Sequence, residues 1–143
     1  MPIKSFRGLM ATDSVDTISL HTNNGTTGYK IKKIQALSWY PTGSSPEVVL
    51  KIYSVPQEVV TETIDFSDQT LLAVCFYEGN SNSYYTNQTD VIFDNMTFNQ
   101  DIYITCYSTD NRVNYYIELE QVKLDLGEQT VATLRDIRNI VSQ

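Results

Sequence analysis

Between Asn114 and Asp125 the side chains alternate: Tyr115, Ile117 and Leu119 share one face, with Glu118 and Glu120 on the other. A two-residue period belongs to a β-strand, and slipping the register by one residue would bury both carboxylates, so this stretch specifies a strand with one dry face. Glu47–Val55 repeats the pattern. There Val48, Leu50 and Ile52 oppose Val49, Lys51 and Tyr53, as expected of a half-buried strand.

Turn-rich clusters divide the rest of the chain. Asn24-Gly25 accepts the positive φ of a tight reversal, and Pro41–Pro46 ends a long run beginning at Tyr29. The pieces between such clusters read as eight or nine strands: Ser5–Ala11, Val15–His21, Tyr29–Tyr40, Glu47–Val55, Val59–Ile64, Leu71–Tyr77, Thr89–Asp94, Asp101–Ser108 and Asn114–Asp125. Leu71–Tyr77 is apolar on both faces, as in a central strand. The alternative, a short helix capped by Ser67, is disfavoured by the length of the run and its aromatic neighbours. Ile102, Ile104 and Cys106 match the alternation of Tyr115, Ile117 and Leu119, so the sequence predicts a hairpin across the Thr109–Arg112 turn.

Composition supports the reading. Val, Ile, Thr, Tyr, Phe and Trp supply 56 of the 143 residues, against four alanines. Branched and aromatic side chains suit a pleated, half-buried surface, whereas Ala is the best helix former. After Gly127 the period changes, because Val131, Leu134, Ile137 and Val141 recur at three- and four-residue spacing. The expected fold is therefore all-β: an antiparallel, jelly-roll-like β-sandwich of about eight strands over residues 1–126. A short amphipathic C-terminal helix or docking tail over 127–143 completes it, packed on a partner or back on its own sandwich.

Lys30, Lys32 and Lys33 make the one local concentration of positive charge in a chain of net charge −7. Strand geometry puts Lys30 and Lys32 on one face and Lys33 on the other, which reads as a lysine-protected edge strand. The acidic balance argues against nucleic acid as a partner, since phosphate binding depends on Lys and Arg displacing counterions. No window approaches the ~18 apolar residues of a membrane span, and none near the start has signal-peptide length, so the expectation is synthesis and, at least initially, retention in a cytoplasm. Cys75 and Cys106 lie in apolar runs and read as buried thiols, with a disulfide between neighbouring strands as the alternative. Three Asn-x-Thr sequons, beginning at Asn24, Asn87 and Asn95, read as chance matches in an Asn- and Thr-rich chain.

Catalysis requires positioned groups of matched pKa, and candidates are thin. His21, the only imidazole, sits where a strand meets a turn. No Ser occupies a nucleophile elbow, and paired aspartates (Asp13 with Asp16, Asp65 with Asp68, Asp90 with Asp94) lack calcium-loop spacing. The sequence therefore predicts no catalytic residue, no metal and no cofactor. The loop Tyr77–Asn87 mixes aromatics with Asn and Ser, a combination suited to protein or sugar contacts and equally to a plain solvated loop. Trp39, Tyr40, Tyr84 and Tyr85 are the candidate loop binding surface.

The stretches MPIKSFRGL (1–9), TNNGTTGYKI (22–31), DFSDQTLLA (65–73), VIFDN (91–95), FNQDIYIT (98–105), NYYIELE (114–120) and TVATLRDIRN (130–139) together resemble small proteins of tailed phages of marine bacteria, cyanobacteria especially. The resemblance spans nearly the whole chain and brings no catalytic residues. It implies a virion component: a non-enzymatic structural protein, most simply one that decorates or cements the capsid. The implied partners are other virion proteins of capsid or tail and further copies of the chain. A carbohydrate- or receptor-binding head of a tail or fibre is the alternative. Lys4 and Arg7 at one end, and Arg135 and Arg138 beside Val131, Leu134, Ile137 and Val141 at the other, are the candidate assembly contacts.

Overall fold

A computed structural model describes residues 2–21, 25–40, 46–79, 87–93, 97–109 and 112–125. Eight strands form from them: β1 (Ile3–Met10), β2 (Ser14–Ile18), β3 (Thr27–Ser38), β4 (Glu47–Tyr53), β5 (Leu71–Glu78), β6 (Asn87–Ile92), β7 (Ile102–Ser108) and β8 (Val113–Lys123). They make two antiparallel sheets, one ordered β1-β8-β3 and the other β2-β7-β4-β5-β6. The fold is an all-β sandwich. The expected C-terminal helix, 127–143, lies outside the described residues.

The pairing is nested, with the first strand beside the last, the second beside the seventh, and β4 between β5 and β7. That is the connectivity of a jelly roll, in which long-range pairs close both sheets. One strand departs from it. β6 would complete the smaller sheet beside β3, yet it bonds to β5 as the second arm of a hairpin. Phe98 instead bridges Tyr29 on the open side of β3, exchanging both backbone hydrogen bonds at 2.8 and 3.0 Å.

The core lies between the sheets. Ile34, Ile117 and Leu119 of the smaller sheet meet Leu50, Ile52, Ile102, Ile104 and Cys106 of the larger one, all fully buried. Tyr115, Ile117 and Leu119 do turn inward, as their alternation predicts. The hairpin with β7 does not form: β7 pairs with β2 and β4, while β8 pairs with β1 and β3. The two apolar faces meet across the sandwich rather than side by side, because the connection after Ser108 carries the chain from one sheet to the other. Matching alternation fixes a face and is silent about the sheet.

Two further expectations are corrected. Val59–Ile64 is not a strand; the chain between β4 and β5 lies instead on the outer face of the larger sheet. Lys51 points outward beneath it, and its ammonium donates to Thr63 O at 2.7 Å and Thr61 Oγ1 at 3.2 Å, with the Tyr53 ring 5.7 Å away. Farther along, Phe66 packs edge-on against Phe93 at 5.3 Å. Val49, Lys51 and Tyr53 are therefore buried like their inward neighbours, and β4 is dry on both faces. Desolvation pushes the Lys51 pKa down, partly opposed by the charge of Asp68.

The second correction concerns β3. It is an edge strand, as its lysines suggest, but the register with β8 shifts between Ile31 and Lys33. The bulge turns Lys32 and Lys33 outward together and restarts the alternation at buried Ile34.

Candidate functional site

The chain between β4 and β5 covers the middle of the larger sheet's outer face, while the outer face of β1-β8-β3 is an uncovered broad surface among the described residues. Register sets its rows. Lys30 lies beside Glu120 and then Ile3; Lys33 beside Glu118 and Ser5; Gln35 beside Tyr116 and Arg7; Leu37 beside Asn114 and Leu9. One half is a charged belt. Lys32 Nζ reaches Glu120 Oε2 at 3.4 Å, and the Tyr116 hydroxyl donates to Glu118 Oε2 at 2.7 Å. That bond to Glu118 holds the Tyr116 phenol above its ordinary pKa.

The other half is apolar. Leu9 and Leu37 flank Asn114, with 43% and 50% of their surfaces exposed. One step on, the Trp39 N–H donates to Arg112 O at 2.9 Å, extending the β3–β8 register beyond the strand ends. This parity places Trp39 and Arg112 on the same outer face as Leu37 and Asn114. The Arg112 guanidinium stands 5.7 Å from the centre of the Trp39 ring. Trp39 is 53% exposed, and Tyr40, whose N–H donates to Ser38 Oγ at 3.3 Å, is exposed beside it. A cation held over an indole in an exposed row of leucines can grip a partner by apolar contact while Arg112 and Asn114 offer donors.

Of the candidate residues, Trp39 and Tyr40 fall in this patch, and Lys4 and Arg7 lie on neighbouring β1. Arg7 shares the outer face, whereas Lys4 shares the face of Leu119 at the exposed end of the sheet. Tyr84, Tyr85, Val131, Leu134, Arg135, Ile137, Arg138 and Val141 lie outside the described residues. Composition and motif point to none of Leu9, Leu37, Arg112 and Asn114. Their signal lies in parity: Leu9 is one residue from buried Met10 and Leu37 one from buried Ala36, so alternation forces both outward.

At the opposite end a cleft of about 330 Å³ runs between Pro2, Thr26, Thr27 and the end of β8. It contains no titratable pair. His21 is an anchor: its Nδ1 lies 2.7 Å from Asp101 Oδ1, which also accepts the Leu20 and His21 N–H groups at 2.8 and 3.1 Å. Among the described residues no three His, Cys, Asp or Glu side chains converge as metal ligands. No helix among them is long and apolar enough to cross a membrane. Comparisons with family models, curated proteins and solved structures give no match to this chain.

Proposed function

We propose that this chain is a non-enzymatic structural protein of a phage particle, one that decorates or cements the capsid through protein contacts. The observation that carries the reading is on the smaller sheet: its outer face presents Leu9, Leu37, Trp39 and Arg112 together in adjoining rows, whereas the middle of the larger sheet is covered by the chain between β4 and β5. An exposed apolar cluster with a polar rim is the usual mark of a contact surface. A jelly-roll framework, common in capsid and lectin domains, is consistent with that use, although fold alone assigns no function. The sequence resemblance to phage proteins supplies the setting, the virion, and with it the partners.

Mass spectrometry of purified particles tests the reading. The protein is expected at a fixed copy number, and Leu37→Asp should prevent its incorporation without unfolding it. Absence from washed particles overturns the proposal. Exposed Trp39 and Tyr40 also favour a second reading, a carbohydrate- or receptor-binding head. Trp39 is the chain's single tryptophan, so a glycan seated there should shift its fluorescence toward the blue in the isolated protein, and Trp39→Ala should abolish retention on a glycan array.

A further inference from the structure

Each sheet ends in two edges, and three of the four are blunted. β3 carries the bulge, three lysines and the Phe98 bridge; β2 has only five residues; β6 has six, with Asp90 among them. β1 differs. Its eight residues run in unbroken register with β8, without a bulge or an internal proline. Long regular edges of this kind are the ones that recruit another strand.

The backbone shows which groups are free to do so. The Gln121 N–H donates to Pro2 O at 2.9 Å, in line with the register that pairs Ile3 with Glu120. In an antiparallel ladder such bonded positions recur every second residue, so Lys4, Phe6, Gly8 and Met10 turn their N–H and C=O groups toward β8. Ile3, Ser5, Arg7 and Leu9 turn theirs the other way, onto the open edge, where no strand lies among the described residues. Ile3 and Leu9 are also half-exposed, each carrying apolar surface at one end of this row.

We infer that β1 pairs antiparallel with β1 of a second copy about a twofold axis at Phe6, joining two three-stranded sheets into one of six strands. In that register Ile3 faces Leu9 of the second copy and Ser5 faces its Arg7. Every outward N–H and C=O of the four residues then finds a partner, and apolar side chains meet apolar ones. Phe6 meets its own counterpart across the axis, and Lys4 falls opposite Gly8, where there is no side chain to oppose it. Sliding two residues one way sets Arg7 against Arg7, two guanidiniums side by side. Sliding two the other way puts Ile3 opposite Arg7 and leaves Leu9 unmatched. The pairing is self-complementary in one register, as an isologous contact requires. It stands independently of the particle reading, because it concerns purified protein alone.

Sedimentation of the purified full-length chain over a range of concentrations tests the inference. A monomer–dimer equilibrium is expected. Arg7→Pro removes an N–H that points away from β8, so β1 keeps its place while the contact loses the same donor twice by symmetry. Its dissociation constant should rise at least about tenfold. Should that variant fail to give the wild-type circular dichroism spectrum, Ser5→Arg decides, since it sets two like charges opposite each other twice; Ser5→Glu should tighten the dimer by facing Arg7 with a carboxylate. A chain that stays monomeric to its solubility limit overturns the inference, as does a dimer indifferent to the Ser5 and Arg7 substitutions.

Discussion

Cys75 and Cys106 stand in one row of the larger sheet, each directly opposite Leu50 and on either side of it. With β4 between them, their backbones are two strand spacings apart, ~9.6 Å, beyond the reach of a disulfide. Both thiols are free and fully buried. Oxidation of the native protein with diamide should therefore leave its mobility on a non-reducing gel unchanged, and thiol reagents should react only on unfolding.

Those thiols also contribute to the alkaline limb of stability. Burial, with the charge of Asp90 near one and of Asp13 and Asp16 near the other, pushes Cys75 up to about 11 and Cys106 up to about 12 from an ordinary 9.0. Above pH ~9 the unfolded chain gives up these protons while the folded chain keeps them. Stability is complete below that point and falls as pH rises, by ~1.4 kcal/mol per unit for each thiol, until the folded values are reached. Cys106→Val should flatten this slope in urea titrations between pH ~9 and ~11.

The acid limb should depend on Asp101. Burial pushes its carboxyl up, but the hydrogen bonds from the His21 side chain and from the His21 and Leu20 N–H groups outweigh that and hold the pKa below its ordinary 3.8. A carboxylate so held stabilises the fold above its ordinary pKa and loses that contribution as pH falls through the folded value. Asp101→Asn should lower the thermal midpoint at neutral pH and narrow its gap to wild type below pH ~3.8, readable by scanning calorimetry.

Ile117 is fully enclosed between the sheets, and Ile117→Ala should cost about 2–5 kcal/mol by opening a cavity there. The urea midpoint measures it. An unchanged midpoint would contradict the inward register of β8.

Gly8 is required by its neighbour. A methyl group there would lie 2.7 Å from a ring carbon of Tyr115. That ring is buried, and the Asp16 carboxylate accepts from its hydroxyl, so it has little freedom to yield. Gly8→Ala should cost on the order of 1–3 kcal/mol in the same titration.

Alternation makes most of the strands legible in the sequence, because a face that must be dry leaves a period-two signature. It cannot say what lies on an outward face. Lys51 reads as a solvated residue until the chain around Thr61 and Thr63 is seen folded over it. That stretch, Val59–Ile64, has branched residues enough for a strand, yet it finds its place by covering a sheet and not by joining one. The bulge is hidden by its own lysines: Ile31 and Ile34 are three apart, an odd step that breaks the period, while the charges between them suggest nothing more than a solvated edge. The contact patch divides the same way. Trp39 and Tyr40 stand out as aromatics, whereas Leu9 and Leu37 look like core residues unless their parity is followed.

The position of β8 governs the order in which this protein can be made. β8 is the middle strand of its sheet and the last of the eight to leave a ribosome, so Ile3 must wait for Glu120. At ~5–20 residues per second that wait is on the order of ten seconds, during which β1 and β3 have no strand between them and their apolar faces are open to other nascent chains. A premature stop anywhere before Val113 would leave that sheet unable to form at all. Early release of the chain, or slow translation through its last third, should therefore send the product to aggregates or to chaperones.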